Sequence, residues 1–261
     1  MEKTTRLEIM RYSADTPSAL ADEVVRERAL TIILNGEELV TLLCSPGEFN
    51  HLAAGYLASE SIIATAADIV ALEVDEERGI ARLETTTGQA LSGRPFQRVI
   101  SSGCGRGAAL YSAADVSSLA PVKATLAIAP AQVYELMRQF QHQSELFRDT
   151  GGVHSAAIAG PEGVLYFAED IGRHNAVDRL FGRALLEKLD ISGRLLLSSG
   201  RISSEIVSKA ARRDIPLIIS KSAPTDTGVA LADRLNMTVV GFVRGQRMNV
   251  YCHPERIIIR V

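Results

Sequence analysis

Short apolar runs alternate with longer segments of helical spacing between residues 155 and 243, and this alternation restricts the possible folds more than any other feature of the chain. The spacing predicts strands over 155–159, 164–167, 194–198, 217–220 and 238–243, and helices over 175–189, 203–213 and 227–235. Alternation of this kind predicts a three-layer α/β domain, because helices then cover both faces of one sheet.

The first half of the chain has a different pattern, which predicts mainly strands. Apolar runs at 30–34 and 38–44 flank Asn35 and Gly36, a pair that favours a two-residue hairpin turn. The other expected elements are a helix over 48–59, strands over 69–74 and 79–83, and a helix over 131–147 with Pro130 in its first turn. A connection at 121–130 separates the two patterns. We therefore expect a β-rich N-terminal region over residues 1–125 and an α/β domain over residues 126–261.

Charge, hydropathy and cysteine content exclude several classes of protein. The 261 residues include 28 basic and 31 acidic side chains, and this balance argues against a dedicated nucleic-acid-binding domain. No apolar stretch reaches the roughly 18 residues that suggest a membrane span, and the charged first 15 residues do not resemble a secretory signal. The three cysteines, Cys44, Cys104 and Cys252, are odd in number and far apart, which favours a reducing cytoplasmic location over a disulfide framework.

One of these cysteines lies in a glycine-rich loop. Cys104 stands between Gly103 and Gly105, and Arg106 follows two residues later. Glycines allow the backbone to approach a ligand closely, and a nearby guanidinium favours the thiolate, which is the nucleophilic form of cysteine. Cys104 is therefore a candidate nucleophile or persulfide carrier. The structural alternative is an unreactive cysteine buried in a tight turn.

Polar residues cluster in the loops that follow or precede the strands expected after residue 150. These loops contain His154, the segment 169–178 with His174, the segment 198–205 with Gly200, Arg201 and Ser203, the segment 220–225, and the segment 241–251 with Arg244 and Arg247. Sites in open α/β sheets form at the carboxyl ends of strands, and a helix N-terminus with serine hydroxyls binds anions. A phosphate-rich, nucleotide-like ligand is the expectation, although neither a P-loop nor a dinucleotide-binding glycine motif is present.

Each loop also has a structural explanation. Asn175 is a credible N-cap with Asp178 in a capping-box position, and an ordinary serine cap with Glu205 in the first turn of the helix would explain the segment 198–205. His154 alone favours a structural hydrogen bond, and the segment 241–251 alone favours a hairpin with solvated arginines.

The ordered set TGGVHSAA at 150–157, EDIGRHNAVD at 169–178, SSGRISSE at 198–205, SAPT at 222–225 and NVYCHPERI at 249–257 resembles the FdhD family of formate dehydrogenase accessory sulfurtransferases. The resemblance runs from about residue 29 to residue 258. It implies a C-terminal domain like that of cytidine deaminases and a homodimer. It also implies a persulfide carrier that takes sulfur from a cysteine desulfurase and delivers it to the molybdenum or tungsten bis-guanine-dinucleotide cofactor of formate dehydrogenase.

The resemblance also implies roles for individual residues. Cys104 matches the first cysteine of the family's Cys-x-x-Cys loop and would carry the persulfide. From the residues themselves, our hypothesis is that Arg106 favours the thiolate or persulfide anion and that His154 or His174 moves protons. The family's cofactor-binding stretch matches Phe242, Val243, Arg244, Gly245, Gln246 and Arg247, and we expect Gly200, Arg201 and Ser203 to hold guanine and phosphates with it.

One position departs from the family pattern. Gly107 replaces the second cysteine of the loop, so two thiols cannot act in relay there. The departure keeps open a cofactor-binding chaperone that does not transfer sulfur. A nucleotide-processing enzyme is a third, weaker reading. P-C-x-x-C, which supplies zinc ligands in the deaminase signature, is absent, so we expect no catalytic or structural zinc.

Overall fold

The computed structural model describes residues 1–86, the backbone of 99–100 and 108–109, and residues 118–259. Cys104, Arg106 and Gly107 lie outside the described residues. Within the described part, no helix is both long enough and apolar enough to cross a membrane.

The N-terminal region consists of a strand hairpin followed by a sheet with one helix on it. Its elements are β1 (Thr4–Ser13), β2 (Thr16–Val25), β3 (Arg28–Leu34), β4 (Glu37–Cys44), α1 (Phe49–Ser59), a 3₁₀ turn (Ala66–Asp68), β5 (Ile69–Asp75) and β6 (Ile80–Thr85). Strands β1 and β2 form a two-stranded sheet, and the second sheet has the order β4-β3-β6-β5. The short strands β7 (Val99–Ile100) and β8 (Ala108–Ala109) form a separate pair.

The predicted turn at Asn35 and Gly36 is confirmed. The φ angles of the two residues are 50° and 87°, the positive values that a two-residue turn of this type requires. The turn pairs Leu34 with Glu37 and Ile33 with Glu38, and a bulge then shifts the register so that Ile32 pairs with Val40. Leu30, Ile32 and Leu34 alternate along β3 and are buried beneath α1.

The second half of the chain forms a six-stranded sheet with helices on both faces. Its elements are α2 (Pro130–Gln143), α3 (Glu145–Thr150), β9 (His154–Gly160), β10 (Gly163–Asp170), α4 (Arg173–Leu186), β11 (Leu195–Ser198), α5 (Ser204–Ala211), β12 (Leu217–Ser220), α6 (Asp226–Arg234), β13 (Thr238–Arg244), β14 (Arg247–Cys252) and a 3₁₀ turn (Pro254–Arg256). The strand order is β10-β9-β11-β12-β13-β14, and the central strands β11, β12 and β13 are parallel.

Side chains of the central strands alternate between two cores. Leu196, Ile218 and Val239 pack with α4, α5 and α6 on one face of the sheet. Leu197 and Ile219 pack with α2 on the other face. The α/β prediction is confirmed, because the buried strands carry apolar side chains on both faces as a helix-covered sheet requires. The boundary expected at residues 125 and 126 stays a prediction.

Two local predictions were wrong. The helix expected over 131–147 is broken at Ser144, whose hydroxyl lies 2.6 Å from the Ser155 hydroxyl and donates to Glu169 Oε1 at 2.6 Å. The N-cap of α4 is Gly172 and not Asn175, whose side-chain amide instead donates to Asp170 and to the Leu43 carbonyl. In both cases a long-range contact replaces the local one, which a sequence pattern does not reveal.

Candidate functional site

Four strand ends meet at one edge of the six-stranded sheet. His154 begins β9 and pairs with Asp170, the last residue of β10. Ser198 ends β11 and pairs with Ser220, the last residue of β12. Because β9 runs antiparallel to β11, its first residues lie beside the carboxyl end of β11. The fold thus brings together polar loops that lie tens of residues apart in the sequence.

His154 lies at the centre of this edge. Its Nδ1 is 3.2 Å from the Ser199 hydroxyl, which also accepts a hydrogen bond from the Ser155 amide at 2.9 Å. A Cβ added to Gly200 would stand 3.0 Å from Arg173 Cβ and 3.5 Å from His154 Nδ1. The absence of a side chain at residue 200 therefore lets the loop after β11 lie directly against the start of α4.

The electrostatic potential at His154 is positive. Burial is the main cause that lowers the pKa of His154 below its ordinary value of 6.5, and the nearby charges of Arg173, Lys221 and Arg201 lower it further. Asp170 acts in the opposite direction. Three cations around one neutral imidazole favour an anionic ligand at this edge.

Three hydrogen bonds join the loops after β11 and β12. The Ser220 hydroxyl donates to the Gly200 carbonyl at 2.7 Å, the Ile202 amide donates to the Ala223 carbonyl at 3.1 Å, and the Thr225 amide donates back to the Ile202 carbonyl at 2.9 Å. These bonds hold the loop 200–203 in a defined conformation in front of α5.

Ser203 is the N-cap residue of α5, but its hydroxyl does not cap the helix. Its Oγ is buried and has no hydrogen-bond partner among the residues that the structure describes. The explanation of this segment as an ordinary serine cap was therefore wrong. Buried hydroxyls are nearly always paired in folded proteins, so an unpaired one at a helix N-terminus is a place where a ligand atom fits.

His174 and Glu205 face each other across the first turns of α4 and α5. His174 Nε2 lies 3.3 Å from Glu205 Oε2, and the two side chains are 19% and 17% exposed. Burial, followed by the charges of Lys209, Arg173 and His154, holds the pKa of His174 well below 6.5, so the imidazole is neutral at pH 7. Burial also raises the pKa of Glu205. Among the described residues, neither ring nitrogen of His174 has a hydrogen-bond partner.

One helical turn further from the edge lies a buried ion pair. Lys209 Nζ donates to both carboxylate oxygens of Asp178, at 2.6 and 2.7 Å. The Ser59 hydroxyl, at the end of α1, donates to Asp178 Oδ1 at 2.5 Å. Asp178 is therefore the acceptor of a charge cluster between three helices, and the capping-box role predicted for it was wrong.

A second buried pair ties the N-terminal region to the sheet edge. Arg179 Nε and Nη2 donate to Asp170 Oδ2 at 2.9 and 2.7 Å, and Nη2 also donates to the Ser45 carbonyl at 2.6 Å. Asp170 Oδ1 accepts from the Gly172 amide and from Asn175 Nδ2, both at 2.9 Å. Asp170 is fully buried, and these bonds fix the turn from β10 into α4 together with the loop between β4 and α1.

The segment expected to bind cofactor lies at the end of β13. The Phe242 amide donates to the Ser222 carbonyl at 3.1 Å, which places its backbone beside the loop after β12. Val243 is fully buried in the core under α2, so its side chain cannot contact a ligand. Arg244, Gly245 and Gln246 line an open groove against α2, and Arg247 begins β14.

The predicted site residues therefore form two groups in the described part of the chain. His154, His174, Gly200 and Ser203 belong to the sheet edge, and Arg201 is exposed next to them. The described contacts of the hairpin at 244–247 run along α2. Cys104 and Arg106 lie outside the described residues.

The two described cysteines are buried. Burial, with a contribution from Asp170, raises the pKa of Cys44 to about 12, and its side chain is fully buried. Burial also raises the pKa of Cys252, whose Sγ donates to the Met237 carbonyl at 3.1 Å. Both thiols are protonated at neutral pH and shielded from solvent, which makes them poor nucleophiles.

Sequence reasoning missed the residues that support the site. Arg179, Ser45, Lys209 and Ser59 have no motif of their own. Lys209 had one signal, since it stands between Val207 and Ala210 within an apolar helical stretch where a lysine needs a buried partner. No group of three or more His, Cys, Asp or Glu side chains in the described residues could hold a metal ion. The expectation of no zinc stays a prediction.

Comparison with known proteins gives a consistent result along the chain. The profile of the FdhD/NarQ family matches residues 25–258. The sulfur carrier protein FdhD of Bacillus subtilis strain 168 is 41% identical over 251 residues, which cover 96% of each protein. The sulfur carrier protein FdhD of Geobacillus kaustophilus strain HTA426 is 41% identical over 240 residues, or 91% of each, and that of Staphylococcus aureus strain Newman is 39% identical over 256 residues, or 96% of this chain and 95% of that one.

A solved structure is similar over the same length. The crystal structure of a proposed formate dehydrogenase accessory protein from Desulfotalea psychrophila superposes with a TM-score of 0.82 at 25% identity, covering 98% of this chain and all of the other. Because the profile spans nine-tenths of the chain and the relatives match it almost from end to end, the chain belongs to the FdhD/NarQ family.

Proposed function

We propose that this protein is a sulfur carrier in which Cys104 holds a persulfide. Cys104 receives the outer sulfur atom from a cysteine desulfurase. It then passes that sulfur to the molybdenum or tungsten bis-guanine-dinucleotide cofactor that formate dehydrogenase needs: the S–S bond breaks, Cys104 leaves as the thiolate, and the reduced metal of the cargo supplies the two electrons that make the sulfur a sulfide. The relatives are named sulfur carrier proteins, and the structurally similar protein is described as a formate dehydrogenase accessory protein.

The observation that carries the proposal is the burial of the other two thiols. Cys44 and Cys252 are both buried and have raised pKa values, so neither is suited to accept sulfur. Cys104 is the remaining cysteine of the chain. A thiolate at Cys104 would attack the outer sulfur of the desulfurase persulfide. The new S–S bond forms as the old one breaks, and the electron pair stays on the desulfurase thiolate, so the exchange needs no external oxidant.

The sheet edge fits the cargo. The cations around His154 and the free end of α5 suit phosphate groups, and the unpaired Ser203 hydroxyl supplies a further donor. The hairpin with Arg244 and Arg247 carries additional positive charge towards α2. We infer that the edge binds the nucleotide part of the cofactor, in a homodimeric protein of the cytoplasm.

The direct test is a persulfide assay with the purified protein. The protein is incubated with a cysteine desulfurase and cysteine, and the product is analysed by intact and peptide mass spectrometry. A reducible gain of one sulfur on the Cys104 peptide is expected. The variant Cys252→Ala is the matched control and should still gain sulfur, whereas Cys104→Ala should not.

Nucleotide binding separates sulfur transfer from cargo binding. With guanosine diphosphate as the probe, Cys104→Ala should bind nearly as well as the wild type. A Gly200→Val variant should bind more weakly, because its side chain would enter the space beside Arg173 and His154. Loss of nucleotide binding in Cys104→Ala would contradict this division of roles.

A second candidate function is a cofactor-binding chaperone that transfers no sulfur. Gly107 favours it, because the loop has no second thiol to receive or release the persulfide. Bound guanosine diphosphate without any sulfur on the Cys104 peptide would support the chaperone and overturn the carrier.

A further inference from the structure

Helices α4 and α5 face each other through two stacked pairs of polar side chains. His174 and Asp178 are four residues apart on α4, and Glu205 and Lys209 are four residues apart on α5. Residues at this spacing lie on one face of a helix, one turn apart. The outer pair, His174 with Glu205, lies at the sheet edge, and the inner pair, Asp178 with Lys209, lies one turn deeper.

The inner pair is fully satisfied. Asp178 and Lys209 are 1% and 5% exposed, and both oxygens of Asp178 accept from Lys209 Nζ. Ser59 adds a third hydrogen bond, and Glu60 Oε1 lies 4.0 Å from Nζ. A buried charge with all partners in place is held in one geometry, because any displacement would leave a charge unpaired in a medium of low dielectric constant.

The outer pair is incomplete. Both ring nitrogens of His174 are buried and have no hydrogen-bond partner in the described part of the chain, and Glu205 Oε2 is the nearby acceptor, 3.3 Å from Nε2. The charged and titratable groups around the imidazole are Arg173, His154, Glu205 and Lys209. Burial lowers the pKa of His174 and raises that of Glu205, and the charge of Lys209 lowers both, so the imidazole is neutral at pH 7. A neutral imidazole has one N–H and one lone pair, and its neighbours decide which nitrogen carries the proton.

We propose that Glu205, held by the Asp178–Lys209 pair, fixes His174 in the tautomer with its proton on Nε2, so that Nδ1 accepts a hydrogen bond from a bound ligand. The ligand group that suits this acceptor is an uncharged N–H, O–H or S–H donor. Glu205, Asp178 and Lys209 are then positioning residues for His174. The inference rests on the proposed function only for the identity of the ligand.

The tautomer can be read directly in the free protein. The chain contains five histidines, so a sample with ¹⁵N-labelled histidine gives a small set of ring signals in long-range ¹H–¹⁵N spectra. The variant His174→Gln identifies the signals of His174. Between pH 6 and 8 we expect an unprotonated Nδ1 and a protonated Nε2. A proton on Nδ1, or a doubly protonated ring at pH 7, would overturn the proposal.

Variants test the positioning chain. A glutamine at residue 205 can both donate and accept, so Glu205→Gln should allow both tautomers and move the two nitrogen signals of His174 towards each other. Lys209→Met should act in the same direction and raise the pKa of His174, whereas Lys209→Arg keeps the positive charge and should restore the wild-type signals. Signals unchanged in both Glu205→Gln and Lys209→Met would refute the positioning role.

These measurements do not depend on sulfur transfer. Glu205 is partly exposed, so Glu205→Gln serves as the test if Lys209→Met does not fold. A sample of Cys104→Ala should give the wild-type His174 signals. The tautomer of His174 can therefore be established even if Cys104 takes up no sulfur. If the proton lies on Nδ1, the tautomer proposal fails even when Cys104 carries a persulfide.

Discussion

Gly55 of α1 and Gly182 of α4 bring the backbones of the two helices into direct contact. A Cβ on Gly55 would lie 2.8 Å from the Gly182 amide nitrogen, and a Cβ on Gly182 would lie 2.6 Å from the Gly55 amide nitrogen. Real Cβ atoms do not approach backbone atoms so closely. This contact places the end of α1, with Ser59, against Asp178.

Replacing either glycine by alanine should destabilise the protein. Neither backbone can move away without breaking the packing of α1. We therefore expect the free energy of unfolding to fall by about 3 kcal/mol, which is the upper end of the usual cost of overpacking a core. Denaturant unfolding measures it. The control is Asn50→Ala on the same helix, where the side chain is only half-buried. Equal stabilities of Gly55→Ala and Asn50→Ala would show that the helices are free to separate.

The Asp170–Arg179 pair should stabilise the folded protein far more than a surface ion pair does. Arg179→Met leaves a fully buried carboxylate without its cation, and breaking such a pair costs about 3–5 kcal/mol. Arg183→Ala is a matched control on the same helix, because Arg183 and Glu187 form an exposed pair whose loss costs at most about 1 kcal/mol. Urea unfolding of both variants gives the comparison. A similar small loss in both would mean that water reaches Asp170.

Sequence patterns predicted the parts of this molecule that local chemistry determines. The Asn35–Gly36 turn, the strand over 217–220 and the three helices predicted after residue 174 follow from turn propensity and apolar spacing, and each is observed. The β1–β2 hairpin was missed because most of its residues are exposed, so it lacks the alternating burial by which a strand is recognised.

The candidate site was only partly predictable for a related reason. Polar loops at strand ends are visible in the sequence, so His154 and Gly200 could be singled out. Partners such as Arg179 for Asp170 or Lys209 for Asp178 depend on which helix faces meet in three dimensions. No single-chain pattern encodes those contacts.

Thiol reactivity should differ sharply among the three cysteines. Cys44 and Cys252 are buried with raised pKa values, so iodoacetamide should modify them slowly in the native protein. Under the proposed function, Cys104 should react first. Peptide mass spectrometry after a short exposure at pH 8 gives the order, and a sample in denaturant should show modification of all three. Rapid native labelling of Cys44 would contradict its buried position.

The contribution of His174 to the free energy of unfolding should fall as the pH falls below 6.5. The pKa of His174 lies well below 6.5 in the folded protein, so the unfolded chain takes up a proton that the folded chain refuses. The stabilisation is complete above pH 6.5 and decreases as the pH falls towards the folded pKa, by at most about 1.4 kcal/mol per pH unit.

Glu205 and Asp178 have raised pKa values and change stability in the opposite direction, so the total slope alone is ambiguous. The measurement is therefore the difference between wild type and His174→Gln in denaturant unfolding at pH 7.5 and pH 5.5. The wild type should lose more stability than the variant over this interval, and equal losses would show that His174 becomes protonated in the folded protein as readily as in the unfolded chain.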